Sequence, residues 1–169
     1  LPTLMDGVAL AASYTPKGTK HESSTSWSVV YTGFDGLALT YAKGDDNNVA
    51  ASHATQTVLK ATYAIGPVTV GYMTSEYDDE VASGDQETES YNIAYTVSDD
   101  LSISYGTEEL TFGVASTTNV AAEFERVKVT YTTGGMTLTA SQAQGDNVSY
   151  STAATEDREV WALGASFAF

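Results

Sequence analysis

The chain has 169 residues, with 22 acidic against 7 basic side chains and a formal net charge of −15. That balance argues against nucleic-acid binding, which needs a basic footprint. The absence of cysteine excludes disulfide frameworks and thiol catalysis. No apolar run approaches the roughly 20 residues of a membrane helix. We expect a single domain over residues 1–169.

Apolar residues recur at every second position along most of the chain, which is the period of a β-strand. The pattern predicts about ten strands, each close to the roughly 9–11 residues of a tilted membrane strand. They are Gly7–Tyr14, Ser24–Thr32, Leu37–Lys43, Thr55–Ile65, Val68–Glu76, Glu87–Val97, Leu101–Glu108, Ala121–Thr132, Met136–Gln144 and Asp157–Phe169. We therefore expect an all-β protein.

The connections between these strands alternate in kind. Tight turns are expected at 33–36, 66–67, 98–100 and 134–135, where Gly, Pro and Asp predominate. Long, polar and mostly acidic segments are expected at 16–23, 44–54, 77–86, 109–120 and 145–156. The acidic clusters, among them 87–89 and 108–109, are expected between the strands as the charge of solvated loops. Short turns on one rim and long loops on the other are the plan of outer-membrane barrels. The sequence thus predicts an antiparallel transmembrane β-barrel.

Aromatic residues fall at two heights of this predicted barrel, as two interfacial girdles require. Those expected near the short turns are Tyr31, Tyr63, Tyr95, Tyr131 and Phe169. Those expected toward the long loops are Tyr14, Tyr41, Tyr72, Tyr105, Trp27 and Trp161, with the first four near the far ends of their strands. A soluble β-protein with a tyrosine-rich core is the alternative, but it predicts no relation between tyrosine position and strand direction.

Parity assigns the two faces of each strand. In the fourth predicted strand, Leu59 and Tyr63 share an apolar face, whereas Lys60 and Thr62 lie opposite. The same division recurs in later strands and implies a water-filled interior. The basic residues expected on the inner face are Lys60, Arg126, Lys128 and Arg158. They either form a functional basic strip or merely solvate the wall and pair with neighbours such as Glu156.

The last predicted strand carries an alternating apolar series that ends on an aromatic residue. Its members are Trp161, Leu163, Ala165, Phe167 and Phe169. This series resembles the terminal strand that the outer-membrane assembly machinery recognises, where a strand edge is captured by β-augmentation.

A wider resemblance rests on the run Met5–Tyr14, the turn Phe34-Asp35-Gly36-Leu37, and the Ala-Ser-Tyr and Val-Tyr strand endings. These are similar to the general porins of Gram-negative bacteria, notably those of α-proteobacteria. The resemblance implies a homotrimer of sixteen-stranded barrels in the outer membrane, each a pore for small polar solutes and ions. It also implies that the basic strip faces acids on an inward-folded constriction loop, which creates a transverse field.

This chain departs from that pattern, because only about ten strands are predicted and no segment corresponds to the constriction loop. Residues 1–7 look like the tail of a preceding strand followed by a turn. We therefore expect the C-terminal portion of a larger barrel. A complete ten-stranded barrel stays open as an alternative, because ten is a permitted even number.

The acidic segments are weak candidates for a calcium site, because adjacent carboxylates suit that hard cation. The candidates are Asp45, Asp46, Asp78 and Asp79, without the spacing of an EF-hand. We expect no cofactor otherwise. Catalysis has no motif to support it, since a pairing of His53 with Asp45 or Asp46 would have to be forced.

The sequence therefore favours an outer-membrane channel for passive diffusion of small hydrophilic solutes, without enzymatic activity. One alternative is a small outer-membrane barrel whose acidic loops act as an adhesin or receptor. A soluble, secreted β-protein is the other.

Overall fold

The computed structural model describes residues 3–19, 22–48, 52–79, 84–113, 120–150 and 157–168. Within these ranges the chain forms one sheet, in which each strand pairs antiparallel with the next along the chain. No helix in these ranges is long and apolar enough to span a membrane. The expectation of an all-β, antiparallel fold is confirmed.

Eleven strands make up the sheet, in the order of the sequence. They are β1 (Thr3–Met5), β2 (Val8–Thr15), β3 (Ser24–Tyr31), β4 (Leu37–Asn48), β5 (Ser52–Ile65), β6 (Val68–Asp78), β7 (Gln86–Ser98), β8 (Leu101–Phe112), β9 (Ala122–Thr133), β10 (Met136–Asp146) and β11 (Arg158–Phe167). Strands β2 to β11 correspond to the ten predicted ones. The short β1 lies in the segment that the sequence marks as the tail of a preceding strand.

Several strands extend further toward the long loops than the sequence pattern predicts. The expected loops at 44–54 and 77–86 are shorter, because β4 continues to Asn48, β5 begins at Ser52 and β6 continues to Asp78. The pair Glu108-Glu109 lies within β8 and not in a connection. The ladder of backbone hydrogen bonds does not require apolar side chains, so it continues beyond the apolar segment.

Five backbone hydrogen bonds of one kind tie the short turns to neighbouring strand ends. The amides of Thr32, Ala64, Thr96, Thr132 and Ala168 donate to the carbonyls of Gly7, Gly36, Pro67, Asp100 and Gly135, respectively, at 2.6–2.8 Å. We call these ten the rim residues. Gly7 and Gly36 have φ values of +76° and +75°, a conformation that glycine adopts without steric cost. All short turns therefore lie along one regular rim.

The register gives the strands a constant stagger against this rim. One row of directly opposed residues runs from Val30 in β3 through Lys60, Ser90 and Phe124 to Arg158 in β11. These residues lie 2, 4, 6, 8 and 10 positions from the rim residues of their strands. The stagger is thus one residue per strand. With a rise of about 3.3 Å per residue and about 4.8 Å between strands, it corresponds to a tilt of about 35°.

Neither face of the sheet is covered by a second layer in the described ranges. Ala54 and Ala122 are the buried hydrophobic residues there, and no polar or charged residue is buried. Leu163 and Trp161 are 89% and 72% exposed. A soluble sandwich buries one face of each sheet against the other, and this sheet does not.

The rim turns predict a contrast between two glycine substitutions. Gly36→Ala should be more destabilising than Gly66→Ala, although both glycines have positive φ. A Cβ at Gly36 would overlap the Ala64 carbonyl oxygen, whereas one at Gly66 meets nothing within 4 Å. We expect a loss of about 1–2 kcal/mol for Gly66→Ala and about 1–3 kcal/mol more for Gly36→Ala. Urea unfolding in detergent micelles measures both, and equal losses would contradict this account of the rim.

Candidate functional site

The rim residues serve as the common origin from which the height of each side chain on its strand is measured. We define the level of a residue as its distance in sequence from the rim residue of its strand, counted toward the long loops. One level corresponds to about 2.7 Å along the normal to the rim, given the rise and the tilt. Strand alternation places odd levels on one face of the sheet and even levels on the other. We call these the apolar face and the polar face.

In strands β2 to β11 the apolar face carries only apolar and aromatic residues at its three lowest levels, which are one, three and five. Level one holds Val8, Tyr31, Leu37, Tyr63, Val68, Tyr95, Leu101, Tyr131, Met136 and Phe167. Level three holds Leu10, Val29, Leu39, Ala61, Val70, Ile93, Ile103, Val129, Leu138 and Ala165. Level five holds Ala12, Trp27, Tyr41, Leu59, Tyr72, Tyr91, Tyr105, Val127, Ala140 and Leu163. No charged residue interrupts these thirty positions.

Aromatic rings occupy both edges of this apolar zone. Tyr31, Tyr63, Tyr95 and Tyr131 share level one, and Trp27, Tyr41, Tyr72 and Tyr105 share level five. Tyr14 and Trp161 lie higher, at level seven. Neighbouring rings pack together, with centroids 5.3 Å apart for Trp27 and Tyr41 and 5.0 Å apart for Tyr72 and Tyr91.

One detail of the predicted girdles requires correction, and another lies outside the described residues. Tyr41, Tyr72 and Tyr105 lie in the middle of their strands and not near the far ends, because the ladder continues beyond them. The residue of β11 that shares level one with Tyr131 is Phe167. Phe169, which the sequence analysis assigned to that row, lies outside the described residues.

Carboxylates just above the apolar zone accept hydrogen bonds from aromatic residues. Glu89 Oε1 accepts from the hydroxyls of Tyr72 at 2.9 Å and Tyr91 at 2.7 Å. Glu159 Oε1 accepts from the indole Nε1 of Trp161 at 3.0 Å. The register places Glu125 of β9 two levels above Tyr105 of the adjacent strand, on the same face. Each of these donors lies two levels below the carboxylate that accepts its hydrogen bond, so Tyr72, Tyr91 and Trp161 are anchored at a fixed height.

The polar face consists mainly of small and hydroxylated residues. At level four it carries Ala11, Ser28, Thr40, Lys60, Gly71, Asn92, Ser104, Lys128, Thr139 and Gly164. Pairs of neighbouring hydroxyls bond directly, as Ser13 and Ser26 do at 2.7 Å. Such a surface leaves room for water and offers it many hydrogen-bonding partners.

The four predicted basic residues all lie on the polar face. Lys60 and Lys128 share level four, Arg126 lies at level six and Arg158 at level ten. The salt bridge found among the described residues joins Lys17 to Glu22, so none of the four basic residues forms an ion pair there. Arg126 donates a long hydrogen bond of 3.4 Å to Ser141 Oγ. Lys60, Arg126 and Lys128 therefore lie at mid-height on the polar face, without ion-pair partners in the described ranges.

One carboxylate also lies on this face near the bases. Glu108, at level eight, accepts a hydrogen bond of 3.0 Å from the Ser90 hydroxyl. Its neighbour Glu109 points to the apolar face, because adjacent strand positions face opposite ways. Most acids of the described strands thus lie on the opposite face from the four predicted bases.

The last strand presents its alternating apolar series on the apolar face. Trp161, Leu163, Ala165 and Phe167 are all exposed there. β11 pairs with β10 on one side, and no described strand pairs with its other edge.

The calcium candidates are not assembled into a site in the described part of the chain. No group of three or more Asp, Glu, His or Cys residues there is arranged to hold a metal ion. Asp45 lies within β4, where it accepts the Thr25 hydroxyl at 2.7 Å, and Asp78 ends β6. The amide of Asp79 donates to Asp85 Oδ1 at 3.0 Å. The side chain of Asp46 lies outside the described part.

Sequence reasoning missed the carboxylates that hold the aromatic rings. It treated 87–89 and 108–109 as solvated loop charge, although Glu87, Glu89 and Tyr91 have the same parity. Extending the period-two pattern through charged residues would have assigned them to the apolar face. The hydrogen bonds themselves join different strands, so they depend on register.

A scan against protein-family models and a search of curated proteins found no match for this chain.

The anchored rings predict unequal effects for two hydroxyl deletions in β7. Tyr91→Phe should lower the free energy of unfolding measurably, because it removes a hydrogen bond to the Glu89 carboxylate. Tyr95→Phe is the control, since Tyr95 lies on the same face at level one, away from the carboxylates. We expect it to change the stability by less than about 0.5 kcal/mol. Denaturant titration in micelles compares the two, and a Tyr91→Phe variant as stable as the control would refute the anchoring.

Proposed function

We propose that this chain is part of the wall of an outer-membrane porin, a water-filled channel through which small hydrophilic solutes and ions diffuse passively. The observation that carries the proposal is the division of the sheet into two unlike faces. The thirty positions at levels one, three and five of β2 to β11 are apolar, whereas the other face carries small and hydroxylated residues and bases at mid-height. Lipid outside and water inside is the arrangement that satisfies both faces.

The stagger of the strands supports a barrel. A tilt of about 35° lies within the range of barrels with staggered registers. The apolar zone is bordered by aromatic rows on both sides, as transmembrane barrels require. Short turns on the rim and longer connections opposite also agree with that plan.

The directions of the strands support a larger barrel than the eleven strands described. β1 and β11 run the same way, because ten antiparallel pairings separate them. Closing β11 onto β1 would therefore require a parallel pair, as would joining copies of the sheet head to tail. An odd number of further strands between them restores antiparallel pairing throughout, and a sixteen-stranded barrel meets that condition. Lipid does not tolerate open sheet edges, so the proposal includes these strands and places the chain in the C-terminal portion.

The charge of the polar face supports a preference among solutes. Lys60, Lys128 and Arg126 lie at levels four and six, close to mid-height, without carboxylate partners in the described ranges. Unpaired cations on the wall of a narrow, water-filled pore raise the local concentration of anions. The proposed channel therefore favours anions over cations of the same size. Its homotrimeric assembly belongs to the proposal on the strength of the resemblance to general porins.

Planar-bilayer recording tests the proposed function directly. The detergent-extracted protein should give stepwise, ohmic conductance, because a water-filled pore needs no gating to conduct. Arg126→Gln with Lys128→Gln should move the reversal potential in a salt gradient toward cations, with the anion preference reduced about threefold. An adhesin or receptor barrel would insert without such steps.

The control for the double variant is Lys43→Gln. Lys43 lies at level seven on the apolar face, so its neutralisation removes a charge without touching the polar wall. Its reversal potential should equal that of the unaltered protein. An unchanged reversal potential in the double variant, or an equal shift in the Lys43→Gln control, would contradict the assignment of the bases to the channel.

A further inference from the structure

The upper part of the polar face carries large apolar side chains on β8, β9 and β11. They are Leu110 at level ten, Phe112 at level twelve, and Phe124 and Val160 at level eight. Phe112 is 40% exposed and Val160 is 59% exposed. The other exposed large hydrophobic side chains above the rim in β2 to β11 all lie on the apolar face, within the described ranges. These two residues are therefore exceptions on a face whose other members are mainly small and hydroxylated.

A turn at residues 147–150, between β10 and β11, lies over this part of the polar face. The Tyr150 ring packs against the Phe112 ring, with centroids 5.6 Å apart. A Cβ added at Gly145 would stand 3.0 Å from both the Phe124 ring and the Val148 side chain. Gly145 is at level ten, so its Cβ would point to the polar face. Phe124 and Val148 thus meet on that face, and the turn adds to its apolar surface.

Hydrogen bonds hold the turn in shape. The Tyr150 amide donates to the Asn147 carbonyl at 2.7 Å, and the Asn147 amide donates to Asp157 Oδ1 at 3.2 Å. Asn147 and Tyr150 have φ values of +54° and +57°, which are uncommon for residues with a side chain. Such a backbone persists only where its surroundings fix it. The apolar surface of the turn therefore has a defined position.

The register places two arginines diagonally among these apolar side chains. Two adjacent rows of opposed residues on the polar face cross β9, β10 and β11, with Phe124, Gly145 and Arg158 in the upper row and Arg126, Ala143 and Val160 in the lower row. Each row has an arginine at one end and an apolar side chain at the other, in reversed order. We call this area the recess, because the two residues of β10 between its four corners are small.

The dimensions of the recess suit a small organic molecule. Its corners are about 10 Å apart along a row and about 7 Å apart along a strand, given the strand spacing and the rise per residue. The two arginine positions are therefore about 12 Å apart across the diagonal. Arginine side chains are long enough to converge over the small residues of β10 from that distance.

Neither arginine is neutralised by a carboxylate within the described ranges. The salt bridge found there joins two other residues. The Arg126 guanidinium extends toward β10, where it donates to Ser141 Oγ at 3.4 Å. Glu108 opposes Phe124 on the side away from the recess and accepts the hydroxyl of Ser90. Both guanidinium groups thus retain donors for a ligand, and a planar guanidinium matches a carboxylate in a bidentate pair.

We infer that the recess binds small organic anions with an apolar body, a class that includes aromatic monocarboxylates. The carboxylate lies between Arg126 and Arg158, and the apolar body contacts Phe124 or Val160. A hydrophilic anion lacks the second contact, and a neutral aromatic solute lacks the first. The inference rests on the proposed function, because it needs water and passing solutes against the polar face, and it adds a class of solute to that function.

Block of the ionic current tests the recess in planar bilayers that contain the full-length protein in potassium chloride. The probes are benzoate, acetate, which has the charge without the ring, and benzamide, which has the ring without the charge. A bound benzoate obstructs the pore, so it should lower the conductance at a concentration about tenfold below that of either other probe. Equal half-blocking concentrations for benzoate and acetate would overturn the inference.

Two substitutions at exposed positions of β11 test the corners separately. Arg158→Gln should raise the half-blocking concentration of benzoate about tenfold, because it removes a charged donor. Val160→Ser should raise it about threefold, because it removes apolar contact area. Neither change touches the turn, so both variants should fold and conduct.

The matched controls make the same changes on the polar face of β5. Lys60→Gln should shift the reversal potential, as the loss of a base from the pore wall does, and Val58→Ser should leave it unchanged. Both should keep the half-blocking concentration of benzoate within about twofold, because they lie four strands from β9. Equal responses of Arg158→Gln and Lys60→Gln would overturn the recess as a binding site. The absence of stepwise conductance from every preparation would instead contradict the proposed function.

Discussion

The register of the β-ladder is the constraint on which the rest of this structure depends. A shift of one residue in any strand would move its side chains to the opposite face. The five rim bonds fix the register at one end, and the stagger of one residue per strand follows across the whole sheet. Residues far apart in sequence then share a level, as Tyr31 and Tyr131 do at level one. Both faces owe their uniformity to this alignment.

Each face follows from simple residue chemistry once the register is set. Many large side chains of the apolar face are exposed in the described sheet, and the proposed function places lipid against them. The polar face carries hydroxyls and unpaired bases that need water. Hydrogen bonds from Tyr72 and Tyr91 to Glu89 lie where the apolar face gives way to charged residues. The proposed channel and its proposed anion preference both rest on this one layered arrangement.

The fold could be predicted from the sequence because alternation and turn residues act locally. The strand from Met136 and the turn at 134–135 show this, since their signals lie within a few residues. The upper ends of the strands could not be predicted, because β4 and β8 continue through charged residues that have no apolar alternation. Parity sufficed to place Arg126 and Lys128 on one face. The hydrogen bond from Tyr72 to Glu89 could not be foreseen, because it joins β6 to β7 at a height that only the register defines.

The central claim is that lipid covers the apolar face, and the two tryptophans of the chain test it most directly because both lie there. Trp27 is at level five and Trp161 at level seven. Single Trp27→Phe and Trp161→Phe variants leave one fluorophore each, in vesicles whose acyl chains carry bromine. We predict strong quenching of both by the brominated lipid, deeper in the chain for Trp27, and weak quenching by aqueous iodide. Strong quenching by iodide with none by the brominated lipid would contradict the account.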